Sequence, residues 1–530
     1  MRFTALLFGA VFAGSAVFAQ PESTAQALLD LLVKKGLVTP QEAAQLEQQA
    51  QANASAAAAP AAAGTAPTAP LPAAITRTPG GIGVPPDTVD VKPSPLSIRI
   101  GGANVTPFGF LDLTGVYRST LVGSGIGTSF GSIPYANTNG STIGPVSEFR
   151  LSTQNSRLGL RVDSNVGSTK VLGYTEADFL GNAANNVTTV SNADTLRMRV
   201  YFVDTQFASG WEFLAGQDWS LLTPNRHGLS PVPSDIFYTQ NMDTNYQVGL
   251  TWARQAQLRA VYHADTDWTI GVSAENPDQY IGSAVTLPTA NLNANQFDIS
   301  AGSNASGTTN ANTMPDFIGK IAYDTKIGDS AFHAELAGLL SEFKVNTYGG
   351  NGAINATDSK TGYGAAYNMI LTPIPNLNLV ETAFVSEGGG RYISTGLGPD
   401  FVVSPLQDGQ YNVELEFAEA AELGFEYAPV PQDTFFGYWG GAHFGRQEWQ
   451  TGPTSYLGYG YLTGSNSQNK NIDEFTLGDT YTFWKNPSYG SMQLILQASL
   501  VQRQPWYVAP GAPDNAHTGM FFFDVRYTLP

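Results

Sequence analysis

Arginine recurs at strand spacing through the first half of the chain. Phe149–Asp163 reads FRLSTQNSRLGLRVD and carries Arg150, Arg157 and Arg161. Arg197 and Arg199 follow in LRMRVYF, then Arg254 and Arg259 in RQAQLR. A guanidinium keeps its charge at any physiological pH, and its planar donors match a carboxylate or a phosphate. Such a series implies electrostatic handling of anions. Acidic groups accompany it. Glu176 and Asp178 precede Arg197, while Glu414, Glu416, Glu422 and Glu426 share one parity further on. Between them, Leu221–Asn245 holds Arg226, His227, Asp235 and Asp243.

Other chemistries find less support. Gly127-Thr128-Ser129-Phe130-Gly131 fits the G-x-S-x-G pattern of a hydrolase, but a nucleophile elbow needs a buried strand before it and a helix after it. This copy lies in a Gly/Ser-rich stretch of a chain with 56 glycines. The five histidines, His227, His263, His333, His443 and His517, show no paired ligand spacing, so no zinc site is expected. Zero cysteines remove disulfides and thiol chemistry. A net charge of −18 argues against a nucleic-acid binder. No cofactor and no enzymatic activity are expected.

The elements that must position these charges begin after a leader. Arg2, the apolar run Leu6–Val17 and Val17-Phe18-Ala19 read as a signal peptide over residues 1–19, whose removal takes the charge from −18 to −19. Residues 20–50 have helical spacing, with Ala27, Leu28, Leu31 and Leu32 on one face and Thr39-Pro40 opening a second helix. Two short amphipathic helices bury little alone, so they suit a coiled-coil-like periplasmic association or a contact with the cell wall. Residues 51–96 are an Ala/Pro-rich linker.

From 97 to 530 the spacing is that of strands. Sixteen candidates run from 105–118 to 518–529, among them 148–163, 246–263 and 413–428. The links after every even-numbered strand are only a few residues long, as in Ser164–Ser168 and Pro429–Gln432. The other links are mostly long and rich in Gly, Asn, Ser and Thr. An even number of strands with tight turns at one end and long loops at the other is the pattern of a bacterial outer-membrane barrel. Alternation agrees: Phe521, Phe523, Val525, Tyr527 and Leu529 share one face, opposite Asp524 and Arg526. The expected fold is all-β, a sixteen-stranded antiparallel transmembrane barrel behind a helical segment. Trp211, Trp219, Trp252, Trp268, Trp439, Trp449 and Trp484 fall near strand ends, as an interfacial girdle requires. One irregularity matters. Arg150 and Arg157 have opposite parity, and a lipid-facing arginine costs about 2–4 kcal/mol near the midplane. A bulge near Asn155-Ser156 would return Arg150, Arg157 and Arg161 to the water side.

These residues resemble a known group. Phe149–Val162, YTEADFLG at Tyr174–Gly181, Leu196–Phe207, LAGQDWSL at Leu214–Leu221, Arg254–Arg259 and Glu275-Asn276-Pro277 are similar to the trimeric porins of Gram-negative outer membranes, especially the DcaP-like group. The resemblance implies sixteen strands, a homotrimer and a third loop folded into the pore. The non-aromatic end, Thr528-Leu529-Pro530, departs from the usual pattern of such barrels. The expectation is passive diffusion of small hydrophilic solutes, leaning to anions such as carboxylates. The seven arginines and Glu176, Asp178, Glu414, Glu416, Glu422 and Glu426 would line the pore, and the 221–245 loop would narrow it. Lipid and lipopolysaccharide would surround the barrel. The alternative is a structural protein tying the outer membrane to peptidoglycan through its N-terminal helices.

Overall fold

The computed structural model describes residues 94–530, except 123, 136–143, 145, 182–194, 265–266, 283, 300–311, 395, 462–467 and 509. The expected leader, the helical segment and the linker up to residue 93 lie outside the described residues.

Sixteen strands form one closed antiparallel barrel. The first eight are β1 Ala103–Arg118, β2 in two segments (Glu148–Ser152 and Arg157–Val166), β3 Thr169–Asp178, β4 Arg197–Gln206, β5 Trp211–Trp219, β6 Arg254–His263, β7 Trp268–Glu275 and β8 Asp316–Ile327. The rest are β9 Ser330–Tyr348, β10 Ile354–Ile374, β11 Leu377–Glu387, β12 Phe417–Val430, β13 Asp433–Phe444, β14 Asn469–Asn486, β15 Gly490–Pro505 and β16 Ala516–Thr528. β16 closes on β1, from Phe110↔Thr528 to Arg118↔Met520. Turns of two to four residues follow every even-numbered strand up to β14, and the long connections leave the opposite end.

Burial is inside out relative to a soluble barrel. Leu151, Leu160, Val203, Leu258, Leu336 and Phe475 are exposed on the outer wall. Asp112, Arg118, Glu176, Arg199, Lys320, Glu422 and Asp524 are buried within. A wall with this polarity is stable where lipid lies outside and water within.

β2 contains the expected irregularity. Ser152 pairs with Thr114 and Arg157 with Phe110, so five steps along β2 oppose four along β1. The extra residue restores parity: Phe149, Leu151, Leu158 and Leu160 all face out, while Arg157 is buried inside. Ser156 Oγ locks the kink by accepting the Asp112 backbone N–H at 3.0 Å. Gly109 opposes it with φ +142°, and a Cβ there would meet the Arg157 carbonyl at 2.2 Å. A second register shift in β4, where Glu176 pairs with Val200 but Ala177 with Met198, is not visible in the sequence spacing.

Two strand boundaries differ from expectation. β6 starts at Arg254, not 246, because Tyr246 has φ +59° and the segment after it bonds to distant strands. β12 starts at Phe417, because Tyr411–Leu415 turns back at Gly409 onto Phe401–Pro405 as a separate loop hairpin. The girdle expectation is also corrected. Trp211, Trp268, Trp439 and Trp484 are exposed, whereas Trp219 and Trp252 are buried and meet edge to face with ring centroids 5.6 Å apart, and Trp449 belongs to a loop hairpin over Gln447–Gln450.

Candidate functional site: the third loop and its arginine cluster

Residues 220–253 connect β5 to β6 and form the third loop, L3. Most of its side chains are buried, including Leu222, Val232, Phe237, Met242, Val248 and Leu250. A loop so apolar folds inward because it has a core to join. Its backbone is tied across the lumen. The Asn225 N–H donates to Glu335 of β9 at 3.1 Å, and the Gly228 N–H to Asp324 of β8 at 2.9 Å. The Gln240 N–H donates to the Tyr438 hydroxyl of β13 at 3.1 Å, the Met242 N–H to Gln497 of β15, and the Val248 N–H to Glu474 of β14 at 2.9 Å. Gly440 of β13 makes room for the returning limb, since a Cβ there would lie 1.7 Å from the Val248 carbonyl.

The residues anticipated in the loop have distinct placements. Arg226 forms a bidentate ion pair with Glu426 of β12, both contacts at 2.8 Å, and stacks on Phe237 at 5.0 Å. His227 is exposed, 3.7 Å from Asp324. Asp235 accepts the Arg226 N–H through its backbone carbonyl at 2.6 Å. The buried Asp243 carboxylate accepts the backbone N–H groups of Thr128 and Asn245 at 3.1 and 3.0 Å, joining L3 to the first loop.

At the root of L3 stands the basic cluster. Arg197 holds Asp178 at 2.9 and 2.7 Å through Nε and Nη2. Arg199 donates to Glu176 at 2.5 Å and to Asp178 at 2.8 Å. Arg157 lies 3.7 Å from Glu176. Both Arg157 and Arg199 point donors at the Tyr246 hydroxyl, at 3.4 and 3.1 Å. Arg254 stacks on the Trp219 ring at 5.5 Å. Four guanidiniums thus surround two carboxylates, leaving an excess of two positive charges. Arg259 stands nearby, paired with Asp218 at 3.3 Å. Arg161 pairs with Asp163 on its own strand at 2.8 Å, and Arg150, the more exposed member, with Glu148 at 2.7 Å.

The acidic side is less uniform than its parity suggests. Glu422 is buried in β12 and has no hydrogen bond among the described residues. Glu426 is covered by Arg226 rather than open to the lumen. Glu414 is not on the barrel wall: it lies in the 401–415 hairpin, paired with Lys360. Glu416 is buried at the junction between that hairpin and β12. The four glutamates expected to line the pore therefore do not form one open acidic face: L3 covers Glu426, and Glu414 lies in the loop hairpin.

Several interior charges escaped the sequence reading. Lys320 of β8 pairs with Glu335 at 2.9 Å and donates to the Thr223 carbonyl at 2.8 Å. Its parity, with Ile321 facing out beside it, was the available signal. Arg391, in the loop after β11, is pinned between Asp316 and Asp400, and Ser394 in the same loop accepts the Gly249 N–H at 3.1 Å. Burial pushes the Asp400 carboxyl up to about 7 against the pull of Arg391. No group of three or more His, Cys, Asp or Glu side chains among the described residues converges on a metal position.

No family model and no curated protein matches the chain. Solved structures do. The outer membrane channel DcaP of Acinetobacter baumannii aligns at 18% identity over 81% of this chain and 98% of that one, with a TM-score of 0.54. The anion-selective porin from Comamonas acidovorans aligns at 13% identity over 81% and 100%, with a TM-score of 0.42. OmpF of Salmonella typhi aligns at 11% over 82% and 100%, with a TM-score of 0.44. At these identities the likeness is one of fold, and the chain has the sixteen-stranded barrel fold of the DcaP channel.

Proposed function

We propose that the chain is an outer-membrane porin for passive diffusion of small hydrophilic solutes, favouring small anions such as carboxylates. The observation that carries this reading is the excess of guanidinium over carboxylate beside L3, formed by Arg157, Arg197, Arg199 and Arg254 around Glu176 and Asp178. Fixed charges in a narrow, low-dielectric lumen raise the local concentration of counter-ions. The overall negative charge acts weakly there, because ions screen surface charges over roughly 10 Å. In this reading residues 1–19 direct export, residues 20–50 gather three copies in the periplasm and touch the cell wall, and lipid with lipopolysaccharide surrounds the barrel.

Reconstitution into planar bilayers across a KCl gradient tests the proposal. The expected reversal potential has the sign of chloride preference. Replacing Arg197 and Arg199 by Ser moves the permeability ratio toward unity. A cation preference that these replacements leave untouched overturns the anion reading. Negligible conductance together with tight peptidoglycan binding favours the structural alternative instead.

A further inference from the structure

We propose that L6, the loop after β11, is a strap that fastens the returning limb of L3, and that its release is the step that widens the channel. The strap presupposes the porin reading above. It makes Arg391 and Ser394 positioning residues of the constriction, although neither belongs to L3.

Gly388 turns the chain at the end of β11 with φ +90°. The segment that follows is buried, and Tyr392, Ile393 and Ser394 have no exposed surface. It pairs with the returning limb of L3. The Trp252 N–H donates to the Tyr392 carbonyl at 3.0 Å, and the Ser394 N–H to the Leu250 carbonyl at 3.0 Å. Thr251 and Ile393 are thereby opposed as an antiparallel pair. The Ser394 hydroxyl accepts the Gly249 N–H at 3.1 Å and has the Gln247 and Leu250 carbonyls within donating reach, at 3.0 and 3.2 Å. One side chain thus serves three backbone groups of the limb. Ser394 holds φ +39°, a left-handed value that a β-carbon disfavours. Such a conformation persists only where the contacts around it hold it in place. Gly249 also approaches the wall, where an added Cβ would lie 2.1 Å from the Ala421 carbonyl of β12.

A strap needs a second fastening, and Arg391 supplies it. Arg391 pairs with Asp316, the first residue of β8, and with Asp400 further along L6. The Tyr392 hydroxyl donates to Asp316 at 2.6 Å, and Asp400 accepts the Arg391 N–H at 2.8 Å. From the loop between β7 and β8, the Tyr280 hydroxyl donates to the Gly396 carbonyl at 2.7 Å. L6 therefore reaches from β11 to β8, past the two strands that separate them in the ring. Its attachments are a few side-chain contacts and one isolated bridge. They can part without opening the barrel, whose own ladders must stay closed in lipid. A buried ion pair does not weaken by degrees, since either charge left alone is costly, so the strap has a fastened state and a released one.

The native chain has no cysteine, which makes a disulfide lock a clean test. Thr251 and Ile393 form a non-hydrogen-bonded antiparallel pair, in which Cα atoms stand about 4.5 Å apart, within the span of a disulfide. Full-length Thr251→Cys/Ile393→Cys protein is recorded in planar bilayers in KCl. The reduced channel is expected to visit a higher-current level, as the native channel does. Oxidation removes that level, and dithiothreitol restores it. Arg391→Met, in the cysteine-free chain, raises the occupancy of the higher level on the order of ten-fold, and Arg391→Lys, which keeps the charge, falls between. A purely structural role for L6 would lower the melting temperature of the Arg391 variants without making one current level redox-reversible. If the cysteine pair does not assemble, Ser394→Ala takes its place and is also expected to raise the occupancy of the higher level. Identical current levels before and after verified disulfide formation, or unchanged occupancy in both Ser394→Ala and Arg391→Met, with anion selectivity retained, overturn the strap and leave the porin reading standing. A native protein that conducts nothing overturns both.

Discussion

At the scale of single residues, Arg226 ties L3 to β12 through a charged pair. Its pair with Glu426 spans from the loop to the far wall, and both side chains are nearly fully buried. Removing one partner leaves the other charge buried and unpaired, at a cost of about 3–5 kcal/mol. Arg226→Ala is therefore expected to release the loop tip, giving a larger and noisier single-channel current and a lower melting temperature. Current and noise indistinguishable from the native channel would show that L3 is held without this pair. The sequence marked Arg226 as a constriction residue but gave no means of choosing Glu426, since 200 residues separate them. Aromatic residues were misleading for a related reason. A tryptophan at a strand end looks the same whether it stands exposed on the outer wall, as Trp211 does, or packs against Tyr238 and Tyr246, as Trp219 does.

At the scale of elements, the most informative feature is the break in β2. It was legible because lipid penalises a misplaced charge: an arginine that violates parity demands a bulge, whereas a serine would not. Deleting Ser156 removes the extra step opposite β1. One of the two segments must then turn its arginines outward, at about 2–4 kcal/mol each near the midplane. The expected result is failure to form a detergent-resistant barrel, read by gel mobility without heating. Normal assembly of this deletion variant would mean that the bulge is dispensable. The shift in β4 could not be found in this way, because Arg197 and Arg199 keep the same parity and their spacing raises no conflict. The start of β12 was misplaced because Tyr411–Leu415 alternates like a strand and is one, in the 401–415 hairpin rather than in the barrel.

At the scale of the whole molecule, strand number, turn sidedness and the charged interior follow from local periodicity, which a single sequence displays directly. The constriction does not. It is assembled from contacts between L3 and β8, β9, β12, β13, β14 and β15, whose sequence separations run from 95 to 255 residues. Periodicity carries no information about such pairings. The same separations have a consequence for how the molecule comes into being. Contacts that close long stretches of chain form late, after the entropy of closure has been met by other interactions. L3 finds Glu474 and Gln497 only when β14 and β15 are in place, so the narrowed channel follows the arrival of those strands. During refolding, trypsin is expected to reach the peptide bond after Arg226 for some time after the strands have become protected. If that bond is shielded first, the narrowing is not the last step but the template on which the ring closes.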